Sequence, residues 1–267
     1  MAPERPTQGP NPLIGIRKNM SLSETNKRIW DDFVPDYVDE RVEKVLSLLP
    51  LTTRNPEYLD IGCSTGSATM LVARRIKAKT VKGVDFVHTG EAKKKGVDAI
   101  DCDLNSGKPL PYEDKTFHLV TCMETLEHVH DTDYLLSEIY RVLRDDGTAI
   151  IDIPRLDSMM NTLLLLFGFQ PPGVECSTRE RYGAINQGSI LTGHISYFTK
   201  RAFRDILRSN GFIILKFEQS GQKSDWEAVQ AKLGRRPGTM ARLLWGLYDI
   251  FPFKKDYMIM KVRKEAR

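Results

Sequence analysis

Five short apolar runs, at 57–61, 81–86, 97–101, 117–122 and 148–153, recur through the middle of this chain with helical or loop-like stretches between them. No other feature restricts the fold as much. Apolar runs alternating with helices predict a mostly parallel sheet, because each crossover lays a helix on the sheet and both faces of the strands become buried. FIILKFE (212–218) and YMIMKVR (257–263) add two more strand candidates, for seven in all. A helix after the fourth run carries Leu135, Leu136, Ile139 and Leu143 on one face, with Gly147 read as its stop. Another begins at Thr199, carries Phe203, Ile206 and Leu207, and ends at Gly211.

The flanks read differently. Residues 1–20, rich in Pro, Gly and Asn, predict a flexible arm. Ser21 and Glu24 have capping-box spacing, and an amphipathic pattern through Trp30, Phe33, Tyr37, Val42, Val45 and Leu46 predicts a helix over 21–50 that stops near Pro50. We therefore expect a single domain over 21–267 with two inserts, 155–196 and 220–255. The second carries Leu243, Leu244, Trp245, Leu247, Tyr248, Phe251 and Phe253. Segments this long outside an alternation serve as lids, or else fill the core or a dimer contact. The oligomeric state is left open.

Cys63, Cys102, Cys122 and Cys176 stand singly, with no CxxC pair, which argues against a zinc ribbon or a disulfide framework and for a reducing, cytoplasmic setting. The opening MAPERPTQGPNP lacks the apolar core of a secretory signal. The greasiest stretch, Leu163 to Phe169, is far short of the ~20 apolar residues that span a bilayer. Peripheral contact with a membrane stays open. The net charge of +4 is mild and its basic residues are interleaved with acids, so a small-molecule partner is expected before a nucleic acid.

The stretch YLDIGCSTGSATM (58–70) reads as strand, tight turn and helix, the layout of a nucleotide-binding loop. It lacks the Gly-Lys-Ser/Thr ending of a phosphate-binding P-loop. A GxGxxG fingerprint anchored at Gly62 fails at Ser64 and Ser67. What remains is Asp60-x-Gly62-x-Ser64-x-Gly66, an acidic-led loop. Asp85 closes the next strand nineteen residues beyond Gly66, where a carboxylate can accept both hydroxyls of a ribose. Asp103, in DAIDCDLN, follows the third strand. Each acid alone could be an ordinary turn residue; three at successive strand ends are less easily a coincidence.

These residues resemble the class I S-adenosylmethionine-dependent methyltransferases over roughly 55–220, through YLDIGCSTG, VKGVDF, CDLN, LPYEDKTFHLVTCMETLEHVHD and RVLRDDGTAIIDIP in the family's order. The family's middle loop glycine is Ser64 here, a small replacement. The resemblance implies a Rossmann-like α/β fold with helices on both faces of the sheet, and S-adenosyl-L-methionine as the cofactor. It implies that Asp60, Gly62, Cys63, Ser64 and Gly66 form the loop around the methionine moiety. Asp85 would then hold the ribose, Asp103 and Leu104 would face the adenine, Met123 would pack beside the cofactor, and Phe86 is also counted among the cofactor-binding residues.

In METLEHVHD, Glu124, Glu127 and His128 are spaced i, i+3 and i+4, which predicts one face of a helical turn at the carboxyl end of the fourth strand. Two carboxylates and an imidazole suit a divalent cation, and His194, just before the helix at Thr199, is the expected fourth ligand. This spacing is similar to that of two metal-using branches of the family, the ubiquinone-pathway O-methyltransferases and the small-RNA 3′-terminal 2′-O-methyltransferases. Magnesium, manganese, iron and zinc all suit such ligands. In the other reading His128 is a metal-free general base, or simply a hydrogen-bonded helix-start residue, and His194 is structural. Catalytic candidates are therefore Glu127, His128 and His194. The expected activity is O-methylation of a small, hydrophobic, diol-like or catechol-like molecule. The alternatives are an RNA terminal 2′-O-methyltransferase and a catalytically silent cofactor-binding subunit.

Overall fold

The computed structural model describes residues 40–50, 54–184, 191–221 and 255–266. Its strands are β1 Glu57–Ile61, β2 Thr80–Asp85, β3 Asp98–Asp101, β4 Phe117–Met123, β5 Leu143–Pro154, β6 Phe212–Ser220 and β7 Tyr257–Lys264. They form one sheet in the order β3-β2-β1-β4-β5-β7-β6. The pairs from β3 to β5 are parallel, and β7 runs antiparallel to both its neighbours. The helices are α1 Glu40–Leu48, α2 Ser67–Ile76, α3 Thr89–Lys94, α4 Thr132–Val142, α5 Met159–Leu166 and α6 Lys200–Ser209. All seven expected strands are present.

Successive residues of a strand face opposite sides, and here both sides are apolar. Tyr58, Leu119, Ile150 and Ile259 pack with Val45 and Leu48 of α1 and Val72, Ala73 and Ile76 of α2. Leu59, Val120, Ile151 and Met260 pack with Leu136 and Ile139 of α4 and Phe203 and Leu207 of α6. Leu136 is fully buried, so Leu136→Ala would cost roughly 2–5 kcal/mol.

Two local expectations are corrected. Helix α4 ends at Val142, and Leu143 opens β5, which also contains Gly147. Leu143 pairs with Phe117 and is fully buried, so sheet pairing overrides the helical spacing. Gly147 sits in an irregularity where the register jumps from Phe117↔Leu143 to Leu119↔Thr148. A Cβ there would meet Leu143 Cδ1 at 2.8 Å, so the glycine serves the bulge rather than a helix end. Of the expected helix at 21–50, α1 covers 40–48; Trp30, Phe33 and Tyr37 lie outside the described residues, as do the arm at 1–20 and 222–254 of the second insert.

The chain runs from β1 outward through β2 and β3, then returns to lay β4 on the other side of β1. This reversal opens a crevice at the carboxyl ends of β1 and β4, the place where such sheets bind ligands.

Candidate active site

The crevice depends first on Gly62, directly after β1. Its φ is +80°, and a Cβ would come within 1.9 Å of Thr125 Oγ1, just beyond β4. Only a glycine allows the two turns to meet so closely. Ser64 and Gly66 also take positive φ (44° and 77°), which swings the chain into the start of α2. The Ser64 amide donates to Asp85 Oδ2 at 2.8 Å, while the amides of Phe86 and Val87 donate to Oδ1 at 2.7 and 3.0 Å. Asp85 is thereby aimed by three amides, and a carboxylate has about four acceptor positions. Burial pushes its pKa up, and the amides oppose that rise.

Asp60 has a different setting. Its oxygens accept from Thr69 at 2.5 Å and Thr121 at 2.6 Å, and the Tyr58 hydroxyl lies 2.7 Å from Thr121 Oγ1. Burial raises its pKa to about 7, against the hydroxyl hydrogen bonds. Asp60 thus ties α2 to β4 from behind the loop.

One cavity joins the ends of the strands. Asp60, Gly62, Cys63 and Ser64 line it from the first loop, Asp85 and Phe86 from the second, Asp103 and Leu104 from the third, and Met123 from β4. Gly66 is outside this lining and acts as the turn into α2. Asn105, Thr125 and Arg41 also line the cavity and were not singled out by the sequence. Asn105 donates to the His128 carbonyl at 3.1 Å and accepts from the His130 amide at 2.8 Å, stapling the third loop to the turn after β4. The polar turn CDLN was the available signal for it. Nothing local marked Arg41.

The turn after β4 departs from the expected helix. Glu124 takes φ +47°, its amide donates to the Asp152 carbonyl at 3.0 Å, and a 3₁₀ turn begins only at Leu126–His128. Glu124, Glu127 and His128 therefore do not share a helical face. The Glu124 carboxylate pairs with Arg41 of α1, whose guanidinium also lies 3.5 Å from Asp152. Glu124 is not part of the group that could hold a metal.

That group consists of Glu127, His128 and His194, with their potential ligand atoms all within 4.8 Å of one another. Glu127 Oε1 lies 4.0 Å from His128 Nε2 and 3.9 Å from His194 Nε2. Glu127 is 1% exposed, and neither of its carboxylate oxygens has a hydrogen-bond partner. Burial first, then the charge of Glu124, holds its pKa well above the usual carboxylate range. His128 Nδ1 lies 3.1 Å from the Gly193 carbonyl. His194 packs against Gly173, where an added Cβ would lie 2.9 Å from its Nδ1. Burial lowers the two imidazoles to about 4 and about 3, so both are neutral near pH 7. His128 lines the end of the cavity, while Glu127 and His194 are outside its lining.

The four cysteines are free thiols. Among the described residues no helix is long and apolar enough to cross a membrane.

The sheet order, the glycine loop and the acid-lined cavity together define the Rossmann-like fold of class I methyltransferases. A family model described as a methyltransferase domain matches residues 32–216, and the chain belongs to the S-adenosylmethionine-dependent methyltransferases. It is an enzyme of that class. It is 36% identical over 174 residues to the ubiquinone/menaquinone biosynthesis C-methyltransferase UbiE of Desulfotalea psychrophila, covering 61% of this chain and 68% of that protein. It is 35% identical over 105 residues to the methyltransferase GfsG of Streptomyces halstedii, a match over 36% of this chain and 37% of the relative. An S-adenosylmethionine-dependent methyltransferase from Thermotoga maritima aligns with TM-score 0.53 at 19% identity, over 84% of this chain and 87% of that one. The [4+2]-cyclase SpnF aligns equally well, with TM-score 0.53 at 18% identity over 92% and 94%. Likenesses at this identity show the fold alone, and a fold does not select a reaction.

Proposed function

We propose that this enzyme methylates an oxygen of a small molecule that presents two neighbouring oxygens, and that Glu127, His128 and His194 hold a divalent metal at the acceptor end of the cavity. The observation that carries this reading is the Glu127 carboxylate, buried without a hydrogen-bond partner and facing two imidazole Nε2 atoms at 3.9–4.0 Å. A buried carboxylate left this way is costly unless a cation or proton joins it. His128 turns Nδ1 to the Gly193 carbonyl, and the Nε2 atoms of both imidazoles face the Glu127 carboxylate, the orientation in which a ring nitrogen and a carboxylate can share a ligand.

The cofactor, when bound, supplies an electrophilic methyl group on a sulfonium. The chain's part is to bind and aim it: Asp85 takes the ribose hydroxyls, Asp103 and Leu104 border the adenine, and the loop from Gly62 to Gly66 follows the methionine moiety. A metal held at the histidine group would lower the pKa of an acceptor hydroxyl. The donor set, two imidazoles and one carboxylate, favours zinc, iron or manganese over magnesium, which prefers oxygen ligands. The rival reading makes His128 a metal-free base. A histidine held near pKa 4 is weakly basic, which supports ligation over that role. The methylated atom is open to test because the relatives include a C-methyltransferase.

The test is methyl transfer to catechol-type and non-vicinal phenol acceptors, with and without chelator, alongside calorimetry of S-adenosylmethionine binding. Loss of transfer in chelator with cofactor affinity intact, and a preference for the vicinal acceptors, supports the proposal. Full transfer in chelator would leave His128 as the base.

A further inference from the structure

The segment before α6 closes a ring of hydrogen bonds and chain links that includes the His128 imidazole. Glu175 Oε1 accepts from the Thr192 amide at 2.5 Å and the Thr192 hydroxyl at 3.1 Å, and its Oε2 accepts from the Gly193 amide at 2.9 Å. The Gly193 carbonyl in turn lies 3.1 Å from His128 Nδ1. Just beyond, the amides of Ile195 and Ser196 donate to the Glu127 carbonyl at 2.9 and 3.0 Å. The Tyr197 hydroxyl donates to the His194 carbonyl at 2.9 Å and accepts from the Glu175 amide at 3.0 Å. The path from Glu175 through Gly193, His128, Glu127, Ile195 and Tyr197 returns to Glu175.

We propose that Glu175, with Tyr197, is the positioning residue of the Glu127–His128–His194 group, fixing which nitrogen of the His128 imidazole carries the proton. The proposal rests on the reading of that group as the reactive end, but its geometry does not depend on a metal. The carbonyl bonded to a histidine's Nδ1 sets the ring's tautomer and orientation. The peptide bearing that carbonyl belongs to Gly193, at φ +72°, a residue with wide backbone freedom. Glu175 anchors the chain before it and Tyr197 the chain after it. A charged acceptor is needed because three donors converge, and hydrogen bonds to a carboxylate are the stronger kind.

A neutral amide at this position has one oxygen and would turn a donor toward Thr192 or Gly193. Glu175→Gln should therefore keep part of the clamp, Glu175→Ala none, and Tyr197→Phe should lose the far anchor.

The test uses the metal-free full chain and long-range proton–nitrogen NMR of the imidazoles, with His128 and His194 assigned by their loss in His128→Gln and His194→Gln. His128 should show the Nδ1–H tautomer in the parent protein and a mixture in Glu175→Ala, with Glu175→Gln between, while His194 serves as the internal reference. Cobalt(II) titration, read by visible absorption, should weaken about ten- to hundredfold in Glu175→Ala, while S-adenosylmethionine affinity stays within about twofold. Unchanged tautomers in Glu175→Ala overturn the proposal. If that variant fails to fold, unchanged tautomers in both Glu175→Gln and Tyr197→Phe overturn it. If the parent binds no cobalt while the tautomers still mix in Glu175→Ala, the metal reading fails and the positioning role stands.

Discussion

At the end of the cavity where we propose that the cofactor binds, Gly62 directly follows β1, Asp85 closes β2 and Asp103 lies two residues beyond β3, and backbone amides fix the Asp85 carboxylate. At the other end, Glu127 and His128 sit on a single 3₁₀ turn, and His194 arrives from a loop sixty-six residues later, held by Glu175 and Tyr197. The first end is built by the sheet, so its geometry comes with the fold. The second is built by contacts between loops, so it can be changed without disturbing the sheet. That separation suits a family in which one cofactor serves many acceptors.

The sharpest way to break the comparison is at the point where the two ends touch. Gly62→Ala places a Cβ where Thr125 Oγ1 already stands at 1.9 Å and forces a side chain into positive φ. Relief would move the glycine loop, the turn after β4, or both. We expect cofactor affinity to fall by at least about a hundredfold, equivalent to about 3 kcal/mol, with a lowered melting temperature. Calorimetry and thermal unfolding check this. Unaltered binding would mean that the loops part at no cost.

Next come the variants that should divide the ends. Glu127→Ala and His194→Ala should each reduce methyl transfer by roughly two to four orders of magnitude, the range for losing a group that acts on the reacting atoms. Their affinity for S-adenosylmethionine should remain within a few-fold. Asp85→Ala should do the reverse, weakening cofactor binding at least about tenfold through the loss of charge-assisted hydrogen bonds. Cobalt binding at the histidine group should survive in Asp85→Ala. A variant of one end that damages both readouts equally would show that the two are coupled through Asn105 and Thr125.

The same contrast explains what could be read from the sequence. Asp85 and Asp103 were visible because strand ends announce themselves through apolar runs, and the fold followed from the same periodicity. The helical face at Glu124 was not there to be read. Its backbone is turned by a bond to Asp152 in β5 and its carboxylate is taken by Arg41 in α1. Neither partner is near in sequence. His194 was found through its place before the Thr199 cap, which does bond the Ala202 amide, yet Glu175 and Gly173, which set its surroundings, carried no signal. Leu143 failed for a related reason: helical spacing continued into a residue claimed by the sheet.

The last expected effect, a dependence of stability on pH, lies at Asp60, on the strand side of the glycine loop. Its pKa is raised from 3.8 to about 7, chiefly by burial. A raised carboxyl pKa means that the folded protein holds the proton more tightly than the unfolded chain. The stabilising contribution is therefore complete below pH 3.8 and is lost as the pH rises through about 7. An asparagine at this position stays neutral at every pH and keeps one oxygen for a threonine hydroxyl. Relative to the parent, Asp60→Asn should therefore gain stability between about pH 4 and pH 8, on the order of 4 kcal/mol at most. For a protein of this size that is a gain of several degrees in melting temperature. The histidines act oppositely: with pKa values lowered to about 4 and about 3, their contribution is complete above 6.5 and lost as the pH falls through those values. Both proteins contain them, so they cancel in the difference. Melting curves of the two proteins across this range, without cofactor, decide the matter. Parallel curves would show that Asp60 is ionised throughout and that Thr69 and Thr121 alone sustain its buried charge.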